Sequence, residues 1–403
     1  MAKGYLLSSA IGRQRIPTFS DRHSIFGQAH YSWAIMADFY LRGLGEIRSV
    51  EPIDAPDIYQ HPMALQVRGI GDDVVHLACK PTELLRPLFG RTNVAVQLWE
   101  FAELSDRSIN GDPRTNQVRL LKAMDAVWCA SGFTQKSMAK QGINAVHLPP
   151  PVAHFRADGL EPIDDVRAVT LDSKRADEEG FTTLGAASTG WSGKTVYLAV
   201  LAPFDKRKNL RTLIEGFLAS RAAENGVLVI KLILDNVITS IANINYILAD
   251  NFDYFGRSES VVMCGDYLTP QQMNSLYAMA HFFVSASSAE GLNLPLIESM
   301  ARGIPVLSSD RTAMGDYIGA DHAIVLRTKR TATVGAIHAL APDLKTTHYP
   351  PSLASVRDGF DQARALSADQ REGMGARGAA KVSAAFGLET FEQRVQAFEG
   401  RLA

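Results

Sequence analysis

Twice along its length the chain alternates short β-rich runs with helical patterns, and few architectures accommodate that rhythm. Up to residue 155 the runs are GYLLSSA, EIRSVEPI, DVVHLACK, NVAVQLWEF, AVWCAS and AVHLPPPV, with stretches such as YSWAIMADFYLRGL between them. The series restarts at KTVYLAVLAPF and continues through LVIKLILD, VVMCGDY, FFVSAS, IPVLSS and AIVLR. Alternation of this kind predicts parallel sheets covered on both faces. A chain of 403 residues also exceeds what one core usually supports. The expected class is α/β: a Rossmann-like domain over 1–155 and a second over 194–387, facing a central cleft. The polar stretch 156–193 reads mainly as a connection, part of it a hairpin. After it, REGMGARGAAKVSAAF and LETFEQRVQAFEGRL are helical by period, broken at Gly387.

Charge excludes some partners. Forty-one Lys and Arg stand against 43 Asp and Glu, a formal charge of -2, so no global field favours nucleic acid or an anionic membrane. Cys79, Cys129 and Cys264 sit singly in apolar runs, without the paired spacing of a zinc or redox site, and read as buried free thiols. The N-terminus lacks the apolar core and cleavage site of a signal peptide, and no run approaches the roughly 20 apolar residues that span a bilayer. These features point to the cytoplasm, with peripheral contact at the inner face of a membrane left open.

The most informative stretch is HFFVSASSAEGLNLPLIESMARGIPVLSSD, in which seven residues separate Glu290 from Glu298. Pro295 suits a first helical turn, so Gly291, Leu292, Asn293 and Leu294 should form the turn that opens the helix. Free N–H groups there, with the helix dipole, offer a site to an anion such as a pyrophosphate. Glu290 precedes the turn and Glu298 lies about two helical turns below it, so the carboxylates should touch different parts of one ligand.

This stretch resembles family 4 glycosyltransferases, whose signature is E-x7-E on a strand, turn and helix. The resemblance covers the C-terminal half: Gly265 after a strand, Leu276 and Tyr277 on a helix, FFVSAS, the Ser287-x-x-Glu290-Gly291 turn, Glu298, and Gly303-Ile-Pro305-Val306. It implies a GT-B fold and a retaining transferase in which Glu290 approaches the transferred sugar and Glu298 the ribose hydroxyls. Asn293 departs from the pattern, standing where many members have Gly. Upstream, LAVLAPFDKRKNLRTLIEGF places Lys206, Arg207 and Lys208 after a strand, and Arg207 and Lys208 match the family's R-K-N variant of the basic pair that holds the donor diphosphate. The arginine many members carry several residues earlier is absent, with Ala202 and Pro203 in that region.

The N-terminal half matches more loosely, through Asp125-Ala-Val-Trp-Cys-Ala-Ser131. Gly27 is the expected counterpart of the family's glycine loop, with Gln28 and His30 nearby for the acceptor. Arg13, Arg15, Arg22 and His23 suit either an anionic acceptor or a polar surface loop. Trp99 and Glu100 stand where many members have a histidine near the reacting sugar. Glu100 is a candidate for a catalytic or acceptor role, against one of orienting loops. His76 and Trp99 are further acceptor-side candidates, His76 against a plain core histidine. The resemblance also implies that helix 388–403 crosses back to the first domain.

No Asp-x-Asp pair is present to recruit a divalent ion, so no metal or cofactor is expected; Arg207, Lys208 and the helix N-terminus would balance the leaving diphosphate. The expected substrates are a nucleotide diphosphate sugar and a saccharide or lipid-linked acceptor, as in polysaccharide or glycoconjugate synthesis. Three rivals share the architecture, one of them a phosphorylase, told apart by whether phosphate serves as acceptor. A nicotinamide oxidoreductase needs G-x-G-x-x-G before a helix, and Gly69-Ile-Gly71 does not supply it. A non-catalytic sugar-nucleotide binding module would not need Glu290, Glu298, Arg207 and Lys208 together.

Overall fold

The computed structural model describes residues 4–9, 31–53, 71, 73–108, 111–156, 158–171, 181–234, 258–334 and 344–402. Its fold is of GT-B type, two Rossmann-like domains each built on a parallel sheet.

In the first, β1 (Gly4–Ser9), β2 (Ser49–Ile53), β3 (Val74–Cys79), β4 (Thr92–Gln97), β5 (Ala126–Cys129) and β6 (Ala145–His147) lie in the order β2-β1-β3-β4-β5-β6, every pair parallel. Among the described residues its helices are α1 (Tyr31–Ile47), α2 (Gln117–Lys122) and α3 (Gly132–Ala139). Trp128 of β5 is fully buried, its ring centroid 5.8 Å from that of Tyr5 and 5.9 Å from that of Tyr40.

In the second, β9 (Thr195–Leu201), β10 (Gly226–Leu232), β11 (Val261–Cys264), β12 (Phe282–Ser285), β13 (Val306–Ser308) and β14 (Ala323–Val325) form the parallel order β14-β13-β12-β9-β10-β11. These strands are near-continuous apolar runs because helices cover both faces. The connecting stretch is not merely a linker. Its β7 (Arg167–Thr170) and β8 (Thr182–Thr183) extend the sheet antiparallel beyond β11, and Arg167 ties back to Asp266 with Nε–Oδ1 at 3.0 Å. The short helix α4 (Leu184–Ser188) then leads into β9.

Among the described residues the remaining helices are α5 (Leu210–Leu218), α6 (Pro270–Ala278), α7 (Leu294–Ala301), α8 (Leu353–Ala365), α9 (Ala368–Phe386) and α10 (Leu388–Leu402). Capping boxes start two of them, Thr269 with Gln272 for α6 and Ser367 with Gln370 for α9. Gly387 ends α9 in extended backbone, and α10 then lies on the first domain. There Phe398 meets Trp128 edge-on at 5.3 Å, and the buried Glu399 accepts from Tyr5 Oη at 3.1 Å and Arg48 Nη2 at 2.9 Å. The three cysteines are buried and free. Among the described residues no helix is long and apolar enough to cross a membrane.

Candidate functional site

Strand order reverses in the second sheet between β9 and β12, and ligands of open α/β sheets bind in the crevice outside the carboxyl ends at such a point. Two loops leave the sheet there. After β9, Asp205 caps a tight turn over Lys206–Lys208, its carboxylate accepting from Arg207 N at 3.0 Å, and Asn209 at φ 50° redirects the chain into α5. After β12, residues 286–293 run to α7, which Asn293 opens at φ 66° with Pro295 in the first turn.

Hydrogen bonds lace these loops together, among them a 3.2 Å one from Ser288 Oγ to Arg207 O. Ser288 N donates to Arg207 O at 2.8 Å, Asn209 Nδ2 to Ala286 O at 2.9 Å, Arg207 Nη1 to Ala289 O at 3.3 Å, and Lys208 Nζ to Glu290 Oε1 at 2.5 Å. Glu290 is buried, and its own backbone is fixed by Thr312, whose Oγ1 accepts from Glu290 N at 3.0 Å. Asn293 Nδ2 donates to Ser285 Oγ at 3.0 Å. The left-handed backbone at this position explains the Asn found in place of Gly, since Asn is the side chain that tolerates this region best.

The first domain reaches the same place through the chain that follows β4. A Cβ on Gly291 would stand 3.1 Å from the Leu98 carbonyl carbon and 3.3 Å from Trp99 N, so any larger residue would crowd the backbone of the first domain by a few tenths of an ångström. Glu100 Oε1 lies 2.9 Å from Arg207 Nη1. Glu103 accepts from Thr347 N at 2.8 Å and Thr347 Oγ1 at 2.6 Å, in the hairpin of β15 (Thr331–Val334) and β16 (Lys345–His348). His348 Nδ1 is 3.3 Å from Ser288 Oγ, which connects that hairpin to the loop bearing Glu290.

Electrostatics follow from this crowding. Burial opposes the Arg207 charge, but Glu100, Asp205 and Glu290 outweigh it and hold the guanidinium more firmly protonated than usual. Burial would raise the Asp205 carboxyl, yet Arg207 and Lys208 keep it below the usual carboxylate range. A cation pair framed by carboxylates, beside a helix N-terminus, suits an anionic ligand whose charge changes during reaction.

Glu298 stands apart from Glu290, one turn into α7 and half-buried, accepting from Tyr277 Oη at 2.9 Å. Arg302 lies over the Tyr277 ring at 4.6 Å and donates from Nη1 to Glu298 O at 2.7 Å. Gly265 directly follows β11, at the same end of the sheet. Leu292 is buried, with its carbonyl accepting from Tyr317 Oη at 2.7 Å, and Leu294 begins α7. Gly27, Gln28 and His30, like Arg13, Arg15, Arg22 and His23, lie outside the described residues.

Residues 195–343 match the family model described as Glycosyl transferases group 1. Over 145 residues the chain is 26% identical to O-antigen chain mannosyltransferase B of Escherichia coli, an alignment that covers 36% of each chain. Among solved structures, sucrose-phosphate synthase from Thermosynechococcus elongatus superposes with a TM-score of 0.60 at 12% identity, covering 99% of both chains. The Anabaena protein HepE, crystallised with UDP and glucose, gives 0.56 at 11% identity and covers 99% of this chain and all of that one. The family match includes both site loops of the second domain, Asp205 to Asn209 and Ala286 to Asn293.

Two of the acceptor-side candidates are buried. His76 sits inside β3, with Nε2 2.9 Å from Ser8 Oγ and Nδ1 2.9 Å from Asn93 Oδ1. Burial pushes its imidazole down to about 4. It is a satisfied core histidine rather than a cleft group. Trp99 is also buried, with Nε1 donating to Glu103 O at 2.8 Å and its carbonyl accepting from Thr134 Oγ1 at 2.7 Å, so its ring supports the loop that carries Glu100. Sequence reasoning missed Asp205, although a carboxylate two residues before a backbone N–H is the familiar signal of a capped turn. It also missed Glu103, Thr312 and Thr347, which no local pattern announces.

Proposed function

We propose that the protein is a retaining, metal-independent glycosyltransferase that moves a sugar from a nucleotide diphosphate donor to a hydroxyl of a saccharide or glycolipid acceptor. The observation that carries this reading is the meeting of Arg207, Lys208 and Glu290 with the N-terminus of α7 at the switch point of the second sheet. Lys208 and Arg207 would take the diphosphate and stabilise it as it leaves. Glu290 would approach the sugar, and Glu298, held by Tyr277, the ribose hydroxyls. The acceptor hydroxyl would attack from the face the diphosphate leaves, with a diphosphate oxygen taking its proton. The mannosyltransferase named for one relative, and the UDP and glucose bound in one structural neighbour, support a nucleotide sugar and a saccharide acceptor, in polysaccharide or glycoconjugate synthesis. The reading places the protein in the cytoplasm, with contact to the inner face of a membrane where the acceptor is lipid-linked.

Thermal melting with UDP, GDP, ADP and NAD, each with and without Mg, tests it. A ligand at about 100 times its Kd adds roughly 2.7 kcal/mol, a shift of a few degrees. One nucleoside diphosphate should stabilise the protein without Mg and lose that effect in Lys208→Ala. Stabilisation by NAD alone overturns the reading.

A further inference from the structure

Two carboxylates share the guanidinium of Arg207, and they come from different parts of the molecule. Asp205 belongs to the same turn and occupies one edge, facing Nε at 3.1 Å and Nη2 at 2.6 Å while also capping the backbone of Arg207. Glu100 arrives from the other domain and meets only Nη1, at 2.9 Å. Nη1 also donates to Ala289 O at 3.3 Å, and Glu100 is the one carboxylate among the described residues that meets this nitrogen. Around these groups stand two cations, Arg207 and Lys208, against three carboxylates, Glu100, Asp205 and Glu290. Among these bonded groups carboxylates are in excess of cations.

We propose that Glu100 is a placeholder for the donor's diphosphate on Arg207, whereas Asp205 is a positioning residue that aims the guanidinium. The inference rests on the donor-site reading above and adds the exchange by which the site opens. The incoming diphosphate displaces Glu100 from Nη1 and leaves Asp205 where it is. Donor binding thereby breaks a tie between the domains and frees a carboxylate on the acceptor side of the cleft. The two residues, although both acidic and both bonded to one arginine, have opposite effects on affinity. A pair closed about nine-tenths of the time lowers apparent affinity about tenfold, since only the open fraction binds.

Calorimetric titration of the wild type, Glu100→Gln and Asp205→Asn with UDP, GDP and ADP tests the proposal, with uridine, guanosine and adenosine as probes that lack the diphosphate. Glu100→Gln should tighten the preferred nucleoside diphosphate about tenfold and leave its nucleoside unchanged. Asp205→Asn should weaken the same diphosphate, also without moving the nucleoside. Glu100→Ala replaces Glu100→Gln if the latter does not melt cooperatively. Unchanged or weaker diphosphate binding by the Glu100 variants, with a wild type that binds, overturns the placeholder and spares the donor site. Failure of wild type and all Glu100 variants to bind any nucleoside diphosphate overturns the donor-site reading and this inference with it.

Discussion

The two sheets are alike in build and unlike at their carboxyl ends. In the second, the ionisable groups of interest lie beyond the strands, on loops: Asp205, Arg207 and Lys208 after β9 and Glu290 after β12. In the first, polar side chains lie within the strands and satisfy one another. His76 bridges Ser8 and Asn93, while Gln97 accepts from Thr82 Oγ1 at 3.1 Å and donates to Lys80 O at 3.2 Å. A polar group inside a strand must find its partners in the protein, because burial without them costs about 1–3 kcal/mol. Beyond the strand it can be held half-satisfied, available to a ligand. Position relative to the strand end therefore separates chemistry from packing better than residue type does.

The largest expected effect comes from the second sheet. Lys208→Ala should lower kcat/KM by about 10²–10³-fold, the usual cost of removing one stabiliser from such a site, with cooperative folding retained at a lower melting temperature. Its carboxylate partner Glu290 is buried, so losing the lysine also leaves a charge short of its partner. Loss of cooperative folding with unchanged turnover in the folded fraction would reverse the comparison.

His76 should behave in the opposite way. An unfolded imidazole near 6.5 binds its proton before the folded one at about 4, so between those values the unfolded state holds more protons. The stability this group confers is complete above pH 6.5 and is lost as pH falls toward 4. The total is roughly 3 kcal/mol at 1.36 kcal/mol for each pKa unit. Denaturant melts of His76→Asn should show a shallower loss across that window, with kcat unchanged at neutral pH. A normal pH slope combined with a fall in kcat would return His76 to the cleft.

A smaller effect should mark the seam between the sheets. Thr347→Val removes the 2.6 Å hydroxyl contact to Glu103 but keeps the 2.8 Å one from Thr347 N. We expect a loss of about 1.5 kcal/mol, the low end for a hydrogen bond to a charged group, together with a higher KM for donor. Equal melting and equal KM would show that the hairpin does not hold the loop carrying Glu100.

The contrast also explains what could be read in advance. Apolar runs such as VYLAVL and FFVS specify buried parallel strands, and the spacing of Glu290, Pro295 and Glu298 places a turn and helix between two carboxylates. Both are local patterns. The roles of His76 and Trp99 depended on partners distant in sequence: Asn93 lies 17 residues from His76, and Thr134 lies 35 from Trp99. No periodicity reveals such pairings. Asp266, near the polar connection in space but 99 residues from Arg167, likewise hid the edge strands that β7 and β8 supply. The Glu100 to Arg207 contact belongs to the same class, since it exists only when two domains meet.

Asn293 gives the smallest and most specific expectation, because it lies at a strand-end loop yet acts through its backbone. At φ 66° a residue with a Cβ is strained by roughly 1–2 kcal/mol, a cost that Gly escapes and Asn partly escapes. Asn293→Ala should therefore destabilise the protein by about 1 kcal/mol. Asn293→Gly should stay within about 0.5 kcal/mol of the wild type, relief of the left-handed strain offsetting the lost 3.0 Å bond to Ser285 and the added freedom of the unfolded chain. If the loop's shape alone matters, the glycine variant should also keep its affinity for the nucleoside diphosphate. If that affinity falls while stability holds, the Asn293 amide serves the ligand as well as the turn, and a residue of the second rim would have the kind of double duty that the buried polar groups of the first lack.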